Sequence, residues 1–134
     1  MRQEVLAMLR SVIGVLIMLT QPVFADPALE CGDAGSQVDI GECVAEDEER
    51  VEAALAKALS FALDAAEELD EVTGRSAAAP ALEAGQKAWE AYRAEHCAFV
   101  GATYGGGSGT GIAIRSCWTQ LGRARIDELM RYAG

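Results

Sequence analysis

The fold of this chain is decided by the stretch Gln86-Lys87-Ala88-Trp89-Glu90-Ala91-Tyr92-Arg93-Ala94-Glu95-His96-Cys97. Trp89, Arg93 and Cys97 follow one another at intervals of four residues, which places all three on one face of a helix. A glycine-rich segment, residues 104–111, then interrupts the helix, and a second cysteine, Cys117, follows it. The stretch therefore predicts two helices joined by a glycine-rich loop, with a disulfide available to join them.

The periodicity of the apolar residues predicts three helices, over residues 37–71, 80–103 and 112–132, after an irregular lead over 26–35. Ser36 is suited to cap the first helix, and Pro80 suits the first turn of the second. The predicted apolar faces comprise Val51, Leu55, Ala58, Ala62, Ala65 and Leu69; Leu82, Gly85, Trp89, Tyr92, His96, Phe99 and Thr103; and Ile114, Trp118, Leu121, Arg125, Leu129 and Tyr132. Since no strand pattern competes, we predict an all-α fold, a small disulfide-stapled antiparallel three-helix bundle.

The central stretch resembles the LprI-type lysozyme-inhibitor domain family. The pattern of that family is Ala-Gln-x-x-Trp-x-x-(Tyr/Phe)-Arg-Asp-x-x-Cys, a Gly-Gly-Ser loop, Cys, and then Leu-Thr-x-x-Arg-x-x-x-Leu. The matching residues in this chain are Gln86, Trp89, Tyr92, Arg93, Cys97, Gly106, Gly107, Ser108, Cys117, Leu121, Arg125 and Leu129. Cys31 and Cys43 are similar to the first two cysteines of the family, so the resemblance covers residues 31–132. It implies a small exported binding protein that occludes the active site of a muramidase.

Three positions depart from the family pattern. The Asp that follows Tyr-Arg is Ala94 here, the Thr that follows Leu121 is Gly122, and Leu-Asn-x-x-Tyr on the first helix is replaced by residues 55–59, Leu-Ala-Lys-Ala-Leu. If those polar groups contact a partner in the family, this chain has lost the contacts. The departures therefore leave an alternative open, an envelope structural or adaptor protein without inhibitory activity.

The first 25 residues are typical of an export signal. Arg2 and Arg10 supply positive charge, residues 11–19 form an apolar core, and Val23-Phe24-Ala25 is a small-x-Ala cleavage site. The apolar run is shorter than the ~20 residues that span a bilayer, although an uncleaved anchor is the alternative. We predict a signal peptide over 1–25 and one LprI-like helical domain over 26–134, periplasmic or secreted, with no membrane anchor after cleavage.

The chain is acidic, with 21 Asp and Glu residues against 11 Lys and Arg residues and a net charge of −10. Removal of the signal peptide, with its two arginines and one glutamate, changes the net charge to −11. This charge suits a cationic lysozyme or muramidase as partner and argues against nucleic acid. An acidic run on the first helix comprises Glu42, Glu46, Asp47, Glu48, Glu49 and Glu52. It is either a solvated helix face or a patch that steers a basic enzyme toward the protein.

Four cysteines in an exported domain of this size indicate two disulfides, formed by Cys31, Cys43, Cys97 and Cys117. We favour the pairs Cys97–Cys117 and Cys31–Cys43, although the sequence allows three connectivities. A disulfide removes the thiol that a nucleophilic Cys97 next to His96 needs, and no Cys-x-x-Cys spacing indicates zinc. We predict no catalytic residues, no metal and no cofactor.

The glycine-rich loop is the candidate partner contact, through Gly105, Gly106, Gly107, Ser108 and Thr110. Its glycines permit close approach of the backbone and its hydroxyls offer hydrogen bonds, while the alternative is a flexible connector. The family-motif residues of the helices are Gln86, Trp89, Tyr92, Arg93 and Arg125. We expect them to be mainly structural, with the tryptophans in the core and the arginines paired with carboxylates.

Overall fold

The computed structural model describes residues 26–133, so the predicted signal peptide over 1–25 lies outside the described residues. Four helices follow one another: α1 (Pro27–Glu30), α2 (Gln37–Thr73), α3 (Ala78–Ala102) and α4 (Thr110–Met130). Residues 26–133 contain no strand, which confirms the predicted all-α class. The three long helices contact one another pairwise. Their antiparallel three-helix arrangement stays a prediction.

The segment predicted as an irregular lead contains the short helix α1, so that prediction is wrong. Asp26 caps α1 by accepting a hydrogen bond from the Ala28 amide at 2.9 Å, and Pro27 occupies the first turn, where its missing N–H has no cost. Arg123 of α4 holds the end of this helix with two hydrogen bonds to Glu30, at 2.8 and 2.9 Å. The hydrogen bond from Arg123 lowers the pKa of Glu30, despite the opposing effect of burial.

The turn between α2 and α3 is organised by one carboxylate. α2 ends at Thr73, and its C-cap residue, Gly74, adopts the left-handed conformation with φ of 66°. Asp70 of α2 then accepts hydrogen bonds from the backbone amides of Ala77, Ala78 and Ala79, at 3.1, 2.8 and 3.0 Å. These amides, Ala78 foremost, lower the pKa of Asp70 because they stabilise its charged form. The first turn of α3 therefore takes its cap from the preceding helix.

The core lies where α2 and α4 meet. Leu55, Ala58 and Ala62 of α2 pack with Leu129 of α4 in one buried cluster. Partly buried side chains from all three long helices surround it, namely Leu59, Leu82, Trp89 and Ile126. The small side chains of the alanines allow the neighbouring helices to pack close to α2, and alanine also favours the helical conformation.

All three predicted apolar faces are partly wrong, and on α2 the exception is Leu69, which is 54% exposed. On α3 the buried residues are Gln86, Arg93, Cys97 and Gly101, whereas four members of the predicted face are exposed: Gly85, Tyr92, Phe99 and Thr103. On α4 the buried residues include Ser116, Thr119 and Gly122, while Tyr132 lies beyond the helix and is exposed. The prediction followed the aromatic residues, but the interior admits glycines that let helices approach and polar side chains. Gln86, Arg93 and Thr119 have hydrogen-bond partners, whereas the buried hydroxyl of Ser116 has none among the described residues.

Candidate functional site

The loop between α3 and α4 is a series of tight, hydrogen-bonded turns. The amides of Gly105 and Gly107 donate to the carbonyls of Ala102 and Tyr104, at 3.1 and 3.2 Å. Gly105 and Gly106 have φ of 63° and 80°, a region that glycine enters without steric cost. Residues 102–108 are all exposed, so the loop projects a defined backbone into solvent.

Thr110 does not belong to this loop, because α4 begins at that residue. Its hydroxyl is buried and has no hydrogen-bond partner among the described residues, so it does not offer a hydroxyl at the surface as predicted. Ser108 is exposed, and it is the hydroxyl that the loop presents. The surface of the predicted contact loop therefore consists of Gly105, Gly106, Gly107 and Ser108.

Two disulfides hold the segments around the loop. Cys97 and Cys117 join α3 to α4 with a Cα–Cα distance of 5.6 Å, and Cys31 and Cys43 join the N-terminal segment to α2 at 6.0 Å. These are the pairs that the sequence favoured among three possible connectivities. No cysteine is left with a free thiol, so Cys97 does not form a nucleophilic pair with His96.

A cavity of about 340 Å³ lies beside the loop. The segments that meet there contribute Asp26 before α1, Gln37 of α2, His96 of α3, and Tyr104 and Gly109 of the loop. Neither lysine nor arginine lines the cavity. The loop, the start of α2 and the end of α3 therefore form one continuous end of the molecule, which we call the loop pole.

The inner face of α3 holds a buried arginine between two tryptophans. The guanidinium of Arg93 lies 5.1 Å from the ring centroid of Trp89 and 4.4 Å from that of Trp118. Arg93 donates to the carbonyl of Trp118 through Nε at 3.2 Å and Nη2 at 2.6 Å, and it pairs with Glu52 of α2. Only 2% of Arg93 is exposed, so these partners satisfy a charge that has left water.

A second polar group continues this cluster toward the other end of α3. Arg125 of α4 donates to the side-chain oxygen of Gln86 at 3.0 Å and to Glu128 at 2.7 Å, and it lies over the Trp89 ring at 5.7 Å. Gln86 in turn donates to Glu90 at 3.0 Å. The structure thus brings together four of the five family-motif residues, and it ties α3 to α2 and α4 through them.

Tyr92 is the motif residue that stands apart. It points away from Arg93 and is 54% exposed, and its ring stacks on that of His96 at a centroid distance of 5.3 Å. Phe99 follows on the same face, 64% exposed, with its ring 6.5 Å from His96. The periodicity of the apolar residues predicts these aromatic residues on the buried face of the helix, and that prediction is wrong for Tyr92 and Phe99. Their spacing of three and four residues fitted an outward face equally well, and that is the signal that was missed.

The acidic run of α2 fits neither of its two interpretations along its whole length, because several of its carboxylates pair with arginines of the same domain. Asp47 accepts a hydrogen bond from Arg123 at 2.9 Å, Glu48 pairs with Arg115 at 2.6 Å, and Glu52 pairs with Arg93. Glu46 lies 3.8 Å from Arg50 in an exposed pair within the helix. Among the described residues, only Glu42 and Glu49 of the run are exposed and without an ion pair.

The part of the chain from 26 to 133 contains no group of His, Cys, Asp and Glu side chains arranged to hold a metal ion. None of its helices combines the length and the apolar character that crossing a bilayer requires. The described surface presents exposed aromatic rings, loop backbone and carboxylates.

Comparison with known proteins agrees with the motif. The model of the family described as lysozyme inhibitor LprI matches residues 30–129. An uncharacterized protein of Rhizobium meliloti (strain 1021) is 32% identical over 123 residues, a match that covers 87% of this chain and 88% of that protein. No solved structure matches the chain. The family match confirms the resemblance seen in the central stretch, and the chain belongs to the LprI lysozyme-inhibitor family.

Proposed function

We propose that this protein binds a lysozyme-like muramidase and blocks its active site, without catalysing a reaction itself. The observation that carries the proposal is the family match, which spans residues 30–129 and therefore nearly the whole described domain. In this proposal residues 1–25 direct export and are removed, and the domain over 26–134 acts in the periplasm or outside the cell. Two disulfides support an oxidising compartment.

The loop is the part of the molecule that we propose enters the cleft of the enzyme. Gly105, Gly106 and Gly107 carry no side chains, so the backbone can approach a partner closely, and Ser108 adds a hydroxyl. The turn hydrogen bonds and the Cys97–Cys117 disulfide support a loop that is ordered before binding. A preorganised loop loses less conformational entropy on association than a flexible one, which favours affinity.

The charge of the protein supports a cationic partner. The net charge is −10, and the exposed Glu42 and Glu49 of α2 have no ion pair within residues 26–133. Complementary charge accelerates association, and salt weakens that effect by screening. We therefore expect the association rate with a basic muramidase to fall as the salt concentration rises.

The test is the residual activity of a c-type lysozyme with increasing amounts of the exported, processed protein, in low and in moderate salt. We expect a stoichiometric loss of activity. The variant Gly106→Val, which places a β-branched residue at a φ of 80°, is expected to inhibit less because it distorts the loop. Gly111→Ala is the matched control, since a Cβ at Gly111 meets no atom within 4 Å. Full lysozyme activity at large molar excess rejects the proposal for that lysozyme.

A second candidate function is supported by one position. Ala94 is exposed on α3, where the family pattern has Asp, so a polar contact available to the family is missing here. An envelope adaptor that binds some other protein accommodates this loss. A pull-down from envelope extract followed by mass spectrometry distinguishes the two functions, because recovery of non-muramidase partners alone supports the adaptor.

A further inference from the structure

The outer face of α3 carries an aromatic strip, which we define as Tyr92, Glu95, His96 and Phe99. These positions are spaced by three and four residues, so they form one face about 10 Å long. The rings of Tyr92 and His96 stack, and Phe99 lies next to His96. Tyr92 and Phe99 are each more than half exposed. The core described above forms without these two rings, and clustered exposed aromatic side chains of this kind mark interaction sites.

The strip is continuous with the loop. His96 lines the same cavity as Tyr104 and Gly109, and the ring of Tyr104 lies 3.5 Å from the position of a Cβ built on Gly109. Tyr104 is itself exposed. A partner whose surface contacts the loop therefore meets Tyr104 and the strip in the same approach.

The charge around this surface selects the partner. Residues 94–114 include no lysine or arginine. Arg93, the nearest preceding one, is buried toward α2, where it pairs with Glu52. Glu95 is exposed and forms no ion pair within residues 26–133, so it places an unopposed carboxylate between Tyr92 and Phe99. Exposed aromatic faces next to a free carboxylate attract arginine and lysine side chains.

We propose that the aromatic strip and the loop together form the docking surface for a cationic protein. Basic side chains of the partner lie over the rings of Tyr92 and Phe99 and pair with Glu95, while the loop contacts the cleft. The inference rests on the proposed function for the identity of the partner, a lysozyme-like muramidase, and it names the part of this protein that anchors the complex. Rigid aromatic side chains at the centre of an interface commonly dominate its affinity.

The test compares two double variants in calorimetric binding to a c-type lysozyme. Tyr92→Ala/Phe99→Ala removes the rings of the strip, and we expect its Kd to rise at least about tenfold. Leu69→Ala/Val72→Ala is the matched control, because it removes exposed apolar side chains of α2 near the turn between α2 and α3. Its Kd is expected to stay within about twofold of the wild-type value. Circular dichroism and thermal unfolding check that both variants are folded.

A charge variant sharpens the same experiment. Glu95→Lys is expected to slow association at low salt more than at moderate salt, because a screened charge contributes less to the encounter. If the wild-type protein binds and the strip variant binds equally well, this inference is wrong while the proposed function stands. If the wild-type protein does not bind, the proposed function and this inference are both rejected for that lysozyme. If the wild-type protein is a dimer in sedimentation and the strip variant a monomer, a second copy covers the strip and the inference is overturned.

Discussion

Tyr92 and Arg93 are neighbours in the chain, yet their side chains diverge by about 100° around α3 and enter different surroundings. Arg93 is buried between Trp89 and Trp118 and pairs with Glu52. Tyr92 is exposed and stacks only on His96. A charged side chain thus lies inside and an aromatic one outside, the reverse of their usual places. The difference separates two roles within one motif, in which the inner face joins the helices and the outer face remains free.

The largest expected effect comes from the inner face. Arg93→Ala removes the cation that satisfies Glu52 and the Trp118 carbonyl, and it leaves a void between two tryptophans. We expect a loss of about 2–4 kcal/mol in the free energy of unfolding, measured by urea denaturation. Glu52 is half exposed and regains water, which keeps the loss in this range. Arg131→Ala, at an exposed arginine, is the control, and an equal loss in both variants contradicts a special role for the inner face.

The next effect concerns how closely the helices approach at this cluster. A Cβ on Gly122 lies 2.6 Å from a methyl of Val51 and 3.1 Å from Nη2 of Arg93. Gly122→Ala is therefore expected to cost about 1–3 kcal/mol through overpacking. Gly85→Ala, on the exposed side of α3 with no atom within 4 Å, is expected to stabilise by about 0.5–1 kcal/mol. Thermal unfolding of both variants gives the two changes in stability. A Gly122→Ala variant that is more stable than the wild type contradicts the prediction of overpacking.

Much of the fold could be predicted because it follows local rules. The caps of α2 at Ser36 and Gly74 and the glycine-rich break after α3 depend on residues within a few positions of one another. The predicted helix ends differ from the observed ones by two residues or fewer. The disulfide pairs that the sequence favoured, although it left the crossed pairings open, are the observed ones.

The sequence predicts that Arg93 pairs with a carboxylate, but it does not identify the groups around Arg93, because those groups are distant in sequence. The carbonyl of Trp118 is 25 residues from Arg93, and the carboxylate of Glu52 is 41 residues away. An arginine or glutamine enters the interior only when such groups converge, and no local pattern reports this. The aromatic residues of α3 misled the prediction for a related reason. An aromatic ring is usually buried within its own chain. In our proposal these exposed rings are covered by a partner protein instead.

A smaller effect on stability is expected at the N-terminus of α3, the end of the helix from which the inner and the outer face both begin. The pKa of Asp70 is lowered by the amides of Ala78, Ala79 and Ala77, so its charged form is preferred in the folded protein. Its stabilising contribution is therefore present above the ordinary pKa of 3.8 and is lost as the pH falls through the lower folded value.

Thermal unfolding of wild type and Asp70→Asn from neutral to strongly acidic pH checks this prediction. We expect the wild type to have the higher Tm at neutral pH and the two curves to converge in acid. Asp64→Asn, at an exposed aspartate of α2, is the control and is expected to follow the wild type. A Tm difference for Asp70→Asn that does not change with pH contradicts the role of the charge.

The smallest effect on stability is expected on the outer face of α3. Tyr92→Ser and Phe99→Ser each remove a ring that is already more than half exposed to water in the folded protein. Each substitution therefore removes little of the apolar area that folding buries. We expect the free energy of unfolding to change by no more than about 0.5 kcal/mol for each variant in urea denaturation. A loss of about 2 kcal/mol or more shows that the strip packs against the domain, which removes the contrast between the two faces. Unchanged stability together with weakened lysozyme binding assigns the outer face to recognition, because a residue that the fold does not require then affects only the complex.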